Sequence, residues 1–255
     1  MSHRLLERQR KSFDSLVDSG VYDVGFDHAP GAKRFVAEVL GGVLPRLRRK
    51  PRPAVLDCGC GTGAWLAFLQ AQLVTHGLTD ARLCGFDLSP RMVEVAREKL
   101  RDRAAPADLR PGNLLERKSY SFEGLSGGFD LVFTYDVVQQ LPRAAQAATC
   151  RRMVAALAPG GVAVIFDNEA DSRFGRRMAL RKLVTRYSGL PLVPRYYCNA
   201  AYPPLARIQK QIAESAMMVS EIVIRPDGVK RALVVQCLRD AGPAPARDAA
   251  EQGAP

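Results

Sequence analysis

The sequence predicts a doubly wound α/β fold built on a mainly parallel sheet. From about residue 54 onward, short apolar runs alternate with helix-like segments, which is the pattern of parallel strands joined by crossover helices. The first run ends in a glycine-rich turn at 59–63 that opens a helix. The last two runs, 217–224 and 229–238, flank a turn sequence, so we expect the sheet to end in an antiparallel hairpin.

Two amphipathic helices are predicted ahead of the first strand. Residues 4–19 and 32–44 both repeat apolar side chains at helical spacing. In the first helix the apolar side carries Leu5, Leu6, Phe13, Leu16 and Val17. We interpret residues 1–50 as an N-terminal helical flap and 51–240 as the main domain. The tail at 241–255 is rich in alanine and proline and is expected to be disordered.

Strands and helices then alternate along the main domain. The apolar runs predict strands at 54–56, 82–86, 107–110, 129–134 and 162–166. Helices are predicted at 64–75, 89–103, 142–157 and 205–215. Ser89-Pro90 supplies an N-cap and a proline at the first helical position, and Pro159-Gly160-Gly161 is expected to end the third helix. Residues 167–204 are interpreted as an insertion after the fifth strand.

Composition limits the class of protein. The chain has 255 residues, 47% of them apolar, which is enough for a globular core. The sequence contains no run of about 18 apolar residues, so it predicts no membrane-spanning helix. The first residues are polar and basic, without the apolar stretch of a secretory signal. Six irregularly spaced cysteines indicate reduced, mostly buried thiols, so we expect a cytoplasmic protein.

The net charge of +11 is concentrated in one segment. Residues 171–211 contain nine basic residues and one acid, Asp171, which gives that segment a charge of +8. A second basic cluster at 46–52 is interpreted as a solvated linker. A local concentration of charge favours an anionic small molecule over nucleic acid, whose binding surface is usually a continuous basic face. We expect a small-molecule partner, no membrane, and leave a homodimer open.

The glycine-rich turn is the motif with the clearest chemistry. The run reads Asp57-Cys58-Gly59-Cys60-Gly61-Thr62-Gly63, and its amide groups at the start of a helix favour an anionic ligand group. Gly59, Gly61 and Ala64 also satisfy the relaxed dinucleotide fingerprint, so a nicotinamide or flavin site is an alternative. Asp87 ends the second strand, where a carboxylate can accept ribose hydroxyls in either kind of site.

Three later features separate these alternatives. They are the 129–132 strand, the 157–161 turn and the final hairpin, whereas a dinucleotide domain would continue with a second βαβ half. With these motifs in this order, residues 52–240 resemble small-molecule class I S-adenosylmethionine-dependent methyltransferases. The resemblance implies a seven-stranded Rossmann-like sheet of order 3-2-1-4-5-7-6, with strand 7 antiparallel.

The same resemblance implies the reaction. S-adenosyl-L-methionine would be the cofactor, and a methyl group would pass by in-line displacement to oxygen, nitrogen or carbon of an anionic or aromatic metabolite. Such transferases occur in secondary metabolism, and the resemblance implies no metal. Three residue classes follow from it, for cofactor binding, catalysis and substrate binding.

The cofactor site is implied residue by residue. Asp57, Gly59 and Gly61 would surround the methionine moiety, Asp87 would hold the ribose and Leu88 would pack on the adenine. The complete set is Tyr22, Asp57, Gly59, Cys60, Gly61, Asp87, Leu88, Asn113, Leu114 and Tyr135. Asn113 stands where the family commonly carries Asp. Tyr135 and Asp136 follow the fourth strand near the expected methyl position. Gln139-Gln140 stands where many relatives carry histidine, which removes one candidate base.

Candidates for catalysis and substrate binding flank this site. The catalytic set is His28, Tyr135, Asp167 and Glu169. The alternatives are an exposed loop histidine for His28 and helix capping or surface charge for the two acids. In the insertion, which we interpret as a substrate lid, Arg195, Tyr196 and Tyr197 are predicted to bind an anionic substrate, the alternative being a solvated basic helix. Trp65 is interpreted as a packing residue.

Other functions stay open on the sequence alone. An RNA or protein methyltransferase would use the basic insertion as a docking surface. The Asn/Asp-Pro-Pro-Tyr/Phe signature of base-amino methylation is absent at 134–137, which reads Thr-Tyr-Asp-Val. A nicotinamide-dependent oxidoreductase is the second alternative. A non-catalytic binding module is the third, and the intact glycine run argues against it.

Overall fold

The computed structural model describes residues 3–19, 22–23, 26, 29–102, 106–190, 192, 200–214 and 218–238. Its helices are α1 (His3–Asp18), α2 (Pro30–Leu47), α3 (Ala64–Thr75), α4 (Pro90–Leu100), α5 (Arg143–Ala155), α6 (Arg173–Ser188) and α7 (Leu205–Ala213). Its strands are β1 (Ala54–Cys58), β2 (Arg82–Asp87), β3 (Ala107–Pro111), β4 (Phe129–Tyr135), β5 (Leu157–Asn168), β6 (Met218–Ile224) and β7 (Lys230–Cys237). The tail predicted at 241–255 lies outside the described residues.

The seven strands form one sheet in the order β3-β2-β1-β4-β5-β7-β6. The first five pair in parallel, with Leu56 opposite both Cys84 and Val132, whereas β7 runs antiparallel between β5 and β6. This confirms the predicted order and the terminal hairpin. It does not support the dinucleotide alternative, because the hairpin stands where a second βαβ half would continue.

Helices cover both faces of the sheet. On one face, Val55, Phe133 and Val164 pack with residues of α2, α3 and α4. On the other, Leu56 and Ile165 pack with residues of α5 and α7. The central strands are buried on both sides, which explains why they read as continuous apolar runs. The carboxyl ends of β1, β2, β4 and β5 meet at one edge, where open α/β sheets bind ligands.

The fifth strand is longer than predicted. We expected 142–157 to be helical and Pro159-Gly160-Gly161 to end that helix, but α5 ends at Ala155 and β5 already begins at Leu157. Leu157 pairs with Phe129, and the register then shifts before Leu131. A Cβ on Gly161 would lie 2.6 Å from the Phe129 carbonyl oxygen, so the bulge requires a glycine there. The prediction was wrong because this turn sequence forms a bulge inside a paired strand.

The N-terminal segment and the insertion both contain helices. The first two helices agree with prediction within three residues at each end, and α2 keeps Pro45 in its last turn. Within the insertion, α6 spans Arg173–Ser188 and is capped by Ser172, whose hydroxyl accepts from the Gly175 amide at 2.9 Å. Among the helices of the described ranges, we find none with the length and apolarity that crossing a bilayer requires.

Candidate functional site

The glycine-rich loop is fastened to the end of β2 by backbone hydrogen bonds. The amides of Gly59 and Cys60 both donate to the Phe86 carbonyl, at 2.8 and 3.0 Å. The Gly61 amide donates to Oδ2 of Asp87 at 3.0 Å. Gly61 has φ +52°, and a Cβ there would lie 3.2 Å from the Tyr22 hydroxyl, so no larger residue fits without movement. The loop therefore stands as a narrow ledge between the ends of β1 and β2.

Asp57, at the end of β1, is a buried carboxylate below this ledge. Its residue is 1% exposed, and its Oδ2 has no hydrogen-bond donor in the described part of the chain. Burial, followed by repulsion from Asp87, raises the pKa of Asp57 to about 8. A buried acceptor without a partner is costly, and an ammonium group of a ligand would satisfy it.

Asp87 has both carboxylate oxygens anchored by the backbone. Oδ1 accepts from the Ser89 amide at 2.9 Å, and Oδ2 accepts from Gly61. Burial raises the pKa of Asp87, while these hydrogen bonds oppose the rise. A carboxylate has about four acceptor positions, so two stay available to the hydroxyls of a sugar. The side chain is oriented before any ligand arrives.

The predicted adenine contacts lie after β3. The side chain of Asn113 is engaged in its own turn, since Oδ1 accepts from the Leu115 amide at 3.0 Å and Nδ2 lies 3.3 Å from Glu116. Leu114 is half-buried against the core, and Leu88 is half-buried beside Asp87. The adenine roles of these residues stay predictions.

The N-terminal segment is tied to the same loops by polar contacts. Asp23 accepts hydrogen bonds from the Thr62 hydroxyl, in the glycine loop, and from Lys99 Nζ at 2.7 Å. Asp14 of α1 accepts from the hydroxyl of Ser89, next to Asp87. Tyr22 is 40% exposed as a residue, yet its hydroxyl end is inserted near Gly61. Burial there, then the charges of Asp87, Asp23 and Asp136, raise the pKa of Tyr22.

An aromatic wall lines the end of β4. Tyr135 stacks on Trp65 with ring centroids 4.0 Å apart and an angle of 27° between the planes. Phe26 meets the edge of Trp65 at 4.9 Å, which carries the wall into the N-terminal segment. We interpreted Trp65 only as a packing residue. Its stacking on a predicted site residue, directly after the glycine loop, gives it a place in the cleft as well.

A buried ion pair lies beside this wall and was not predicted. Lys230, at the start of β7, is 4% exposed, and its ammonium contacts Oδ1 of Asp136. The same ammonium lies 4.7 Å from the centroid of the Tyr135 ring. Asp136 has φ +59°, a left-handed conformation that residues other than glycine, asparagine and aspartate rarely adopt. The two residues are 94 positions apart, so no local pattern connects them.

The two acids predicted to follow the fifth strand lie at its carboxyl end, Asp167 within β5 and Glu169 directly after it. Asp167 is fully buried, and its oxygens accept from the amides of Gln139 and Asn168 at 2.9 and 2.8 Å. Burial, then repulsion from Asp136, raises the pKa of Asp167, while Lys230 lowers it. Asp167 thus holds the turn after β4 in place, and its predicted role as a base stays a prediction.

Glu169 is also fully buried and is occupied on both oxygens. Oε1 accepts from the Asp171 amide at 3.2 Å. Oε2 accepts from the Ala206 amide in the first turn of α7 at 3.2 Å and from Arg231 at 3.4 Å. These contacts favour a role in joining β5, α7 and β7 over the predicted role of base. Four further predicted residues, His28, Arg195, Tyr196 and Tyr197, lie outside the described residues.

A basic cavity of about 260 Å³ opens beside the insertion. Three cationic side chains line it: Arg143 at the start of α5, and Lys182 and Arg186 on α6. Lys182 donates to the Ala200 carbonyl at 2.6 Å and lies 4.4 Å from the centroid of Tyr202. None of the described lining residues is acidic.

Hydrogen bonds of the backbone link a residue that lines the cavity to the turn after β4. The Ala201 amide donates to the Gln139 carbonyl at 2.7 Å, and the Gln139 amide donates to Asp167. The cavity that the basic side chains line therefore lies next to the turn that follows β4.

Comparisons with known proteins find methyltransferases over part of the chain. Residues 55–161 match the sequence model of a family described as "Methyltransferase domain". Among curated proteins, an O-methyltransferase of Penicillium expansum (cnsE) is 39% identical over 93 residues, which are 34% of this chain and 31% of that protein. A release factor glutamine methyltransferase of Deinococcus radiodurans is 36% identical over 89 residues, 35% of this chain and 28% of that protein. The chain thus spans less than a third of the length of these curated relatives.

A solved structure extends the likeness to the whole fold. Magnesium protoporphyrin IX methyltransferase of Synechocystis PCC 6803, with bound SAH, superimposes with a TM-score of 0.57 at 17% identity. The superposition covers 84% of this chain and 87% of that one. At this identity the likeness concerns the fold alone.

Proposed function

We propose that this chain, whose residues 55–161 match a methyltransferase-domain model, is a class I S-adenosylmethionine-dependent enzyme that transfers a methyl group from S-adenosylmethionine to a small molecule. The observation that carries the proposal is buried Asp57, whose Oδ2 has no hydrogen-bond partner among the described residues, next to the anchored carboxylate of Asp87. S-adenosylmethionine carries an ammonium group, which would meet Asp57, and ribose hydroxyls, which would meet Asp87. When bound, the cofactor supplies a methyl group already activated on a sulfonium.

The residues present fit this cofactor. Gly59 and Gly61 form the tight turn at which the cofactor would approach the backbone, where Val137 and Tyr22 now pack, and buried Asp57 would lie at the methionine end. Asp87 would hold the ribose without reorganising, because the backbone already orients it. Tyr22 and α1 would exclude water from the donor.

The acceptor side supports an aromatic and anionic substrate. Tyr135 and Trp65, stacked on each other and partly buried, would pack against an aromatic ring of the substrate. The cavity lined by Arg143, Lys182 and Arg186 would take a carboxylate or phosphate at the other end of the molecule. In this proposal the anion-binding role moves from the predicted Arg195 to these three residues, and oxygen or nitrogen is the acceptor atom.

A protein acceptor is the second candidate, because one curated relative is named a release factor glutamine methyltransferase. A protein or RNA acceptor docked on the basic insertion would bind with strong salt dependence, whereas a small molecule held in a cavity would show little.

The test of the proposal is direct. Trp65 is the single tryptophan of the chain and lies in the cleft, so its fluorescence should change when S-adenosylmethionine or S-adenosylhomocysteine (SAH) binds. Calorimetry should give the affinities, and a screen of metabolites for a gain of one methyl mass should find the acceptor. Binding of a nicotinamide nucleotide without binding of either adenosyl compound would contradict the proposal.

A further inference from the structure

The turn after β4 holds a charged pair, Asp136 with Lys230, whose lysine neither the sequence motifs nor the proposed cofactor site accounts for. Lys230 is 4% exposed, whereas the side chain of Asp136 is 32% exposed. Burying an ammonium costs free energy even when it is paired, and replacing such buried pairs by apolar residues is often neutral or stabilising. Stability alone therefore does not explain why this pair is present. The exposed partner of the pair is the carboxylate, so it is the group that can meet a ligand.

The contact of the next residue with the glycine loop places Asp136 beside the cofactor residues. Its neighbour Val137 lies over the glycine loop, with its methyl carbons 2.7 Å from where a Cβ on Gly59 would stand. Tyr22, whose hydroxyl lies against Gly61, has its pKa raised by burial and then by the charges of Asp87, Asp23 and Asp136, which is consistent with this placement. The aromatic wall of Tyr135 and Trp65 borders that space on the side of Lys230.

The backbone and the neighbouring chain hold this carboxylate rigidly. Asp136 is the one non-glycine residue of the described ranges with positive φ, and its amide donates to the Phe166 carbonyl at 2.9 Å. Strained residues that the surroundings hold in place concentrate at functional sites. Lys230 fixes Oδ1, and no described residue donates a hydrogen bond to Oδ2.

We propose that Asp136, positioned by Lys230, accepts the hydrogen of the methyl-accepting group, so that the enzyme acts on aromatic compounds bearing a hydroxyl or amine. This inference rests on the proposed function, because the donor comes from it. As the acceptor atom forms its bond to the methyl carbon, the sulfur–carbon bond of the donor breaks with both electrons staying on sulfur. The proton of the acceptor then passes to the Asp136 carboxylate, which becomes a neutral acid. Lys230 remains an ammonium throughout and acts as a positioning residue.

The experiment compares matched ligands that differ only in the donated hydrogen. The probes are phenol with anisole, 4-hydroxybenzoate with 4-methoxybenzoate, and aniline with N,N-dimethylaniline. Each is titrated into the complex with SAH, by calorimetry and by Trp65 fluorescence. Because a hydrogen bond to a charged acceptor is at stake, the wild type should prefer the hydrogen-bearing member of at least one pair by about tenfold or more.

Four variants test whether the Asp136–Lys230 pair causes that preference. Asp136→Asn keeps a residue type that tolerates positive φ, and should reduce the preference to about twofold or threefold because its hydrogen bond is neutral. Lys230→Met should do the same, and Lys230→Arg should restore part of it. The double variant Asp136→Asn/Lys230→Met removes both charges and guards against misfolding of either single variant. Lys118→Met, which breaks an exposed lysine–carboxylate pair at Glu116, is the control and should leave the preference unchanged.

The outcomes separate the inference from the function on which it rests. If the wild type binds SAH but prefers no hydrogen-bearing probe, or if Asp136→Asn and the double variant keep the full preference, the role of Asp136 is wrong. Suppose that Lys230→Met is folded and has lost the preference for the hydrogen-bearing probe. If Lys230→Arg then recovers none of that preference, positioning of Asp136 by the charge of Lys230 is wrong. If the wild type does not bind SAH, the proposed function fails and this role fails with it.

Discussion

Replacing Asp87 by alanine removes the residue on which the cofactor side of the site depends. Its two oxygens accept from the amides of Gly61 and Ser89, at 3.0 and 2.9 Å, and two acceptor positions remain for ribose hydroxyls. Each hydrogen bond to a charged acceptor contributes about 1.5–3 kcal/mol. Loss of two such bonds amounts to about 3–6 kcal/mol, a decrease in SAH affinity of roughly 10²- to 10⁴-fold.

Calorimetry and Trp65 fluorescence measure this loss on the intact chain. Asp87→Asn should show a smaller decrease, because its amide keeps one acceptor oxygen but loses the charge. Asp108→Ala is the matched control, since Asp108 lies on β3 with its side chain 47% exposed and forms a weak ion pair with Arg82 at 3.6 Å. An Asp87→Ala variant that is folded and binds SAH within about threefold of the wild type would refute the reasoning.

Three further predictions concern buried or cationic groups. The pKa of Asp57 is raised from 3.8 to about 8 in the folded chain, so the folded state keeps a proton that the unfolded state loses, and this group lowers stability as pH rises from about 4 to about 8. Melting of Asp57→Asn should depend less on pH than the wild type across that window, and equal slopes would contradict the shift. Glu169→Gln should lower the free energy of unfolding by about 1–3 kcal/mol while SAH affinity is kept, because Glu169 holds α7 and β7; an unchanged melting temperature would be inconsistent with that role. Lys182→Met should weaken calorimetric binding of benzoate or inorganic phosphate by about fivefold, with Arg177→Met on the same helix as control; equal effects of the two would argue against the cavity.

The cofactor side of the site could be predicted because its signals are local. Gly59, Gly61 and Gly63 all have positive φ, a conformation that glycine adopts readily. Three glycines spaced two positions apart therefore predict the turn. Asp87 follows a recognisable apolar strand by one position. The alternation of such strands with helices also predicts the parallel sheet, whereas the strand order follows from the family resemblance.

The acceptor side could not be predicted, because its contacts join residues far apart in the chain. Lys230 meets Asp136 across 94 positions, and Glu169 meets Arg231 across 62. In the sequence, Lys230 is one polar residue at the start of an apolar strand and looks like a surface residue. Only the antiparallel placement of β7 beside β5 brings its ammonium to the carboxyl end of β4.

The same division holds for the fold and for the charge. By itself the sequence determined the order of elements, the glycine ledge and the excess of basic residues after β5, since each is a property of neighbouring positions. Tertiary structure decided that β5 extends through Pro159 and Gly160, because pairing with β4 outweighs the turn tendency of that segment. It also decided which cations converge, as Arg143 from α5 joins Lys182 and Arg186 from α6 only once both helices are docked on the sheet.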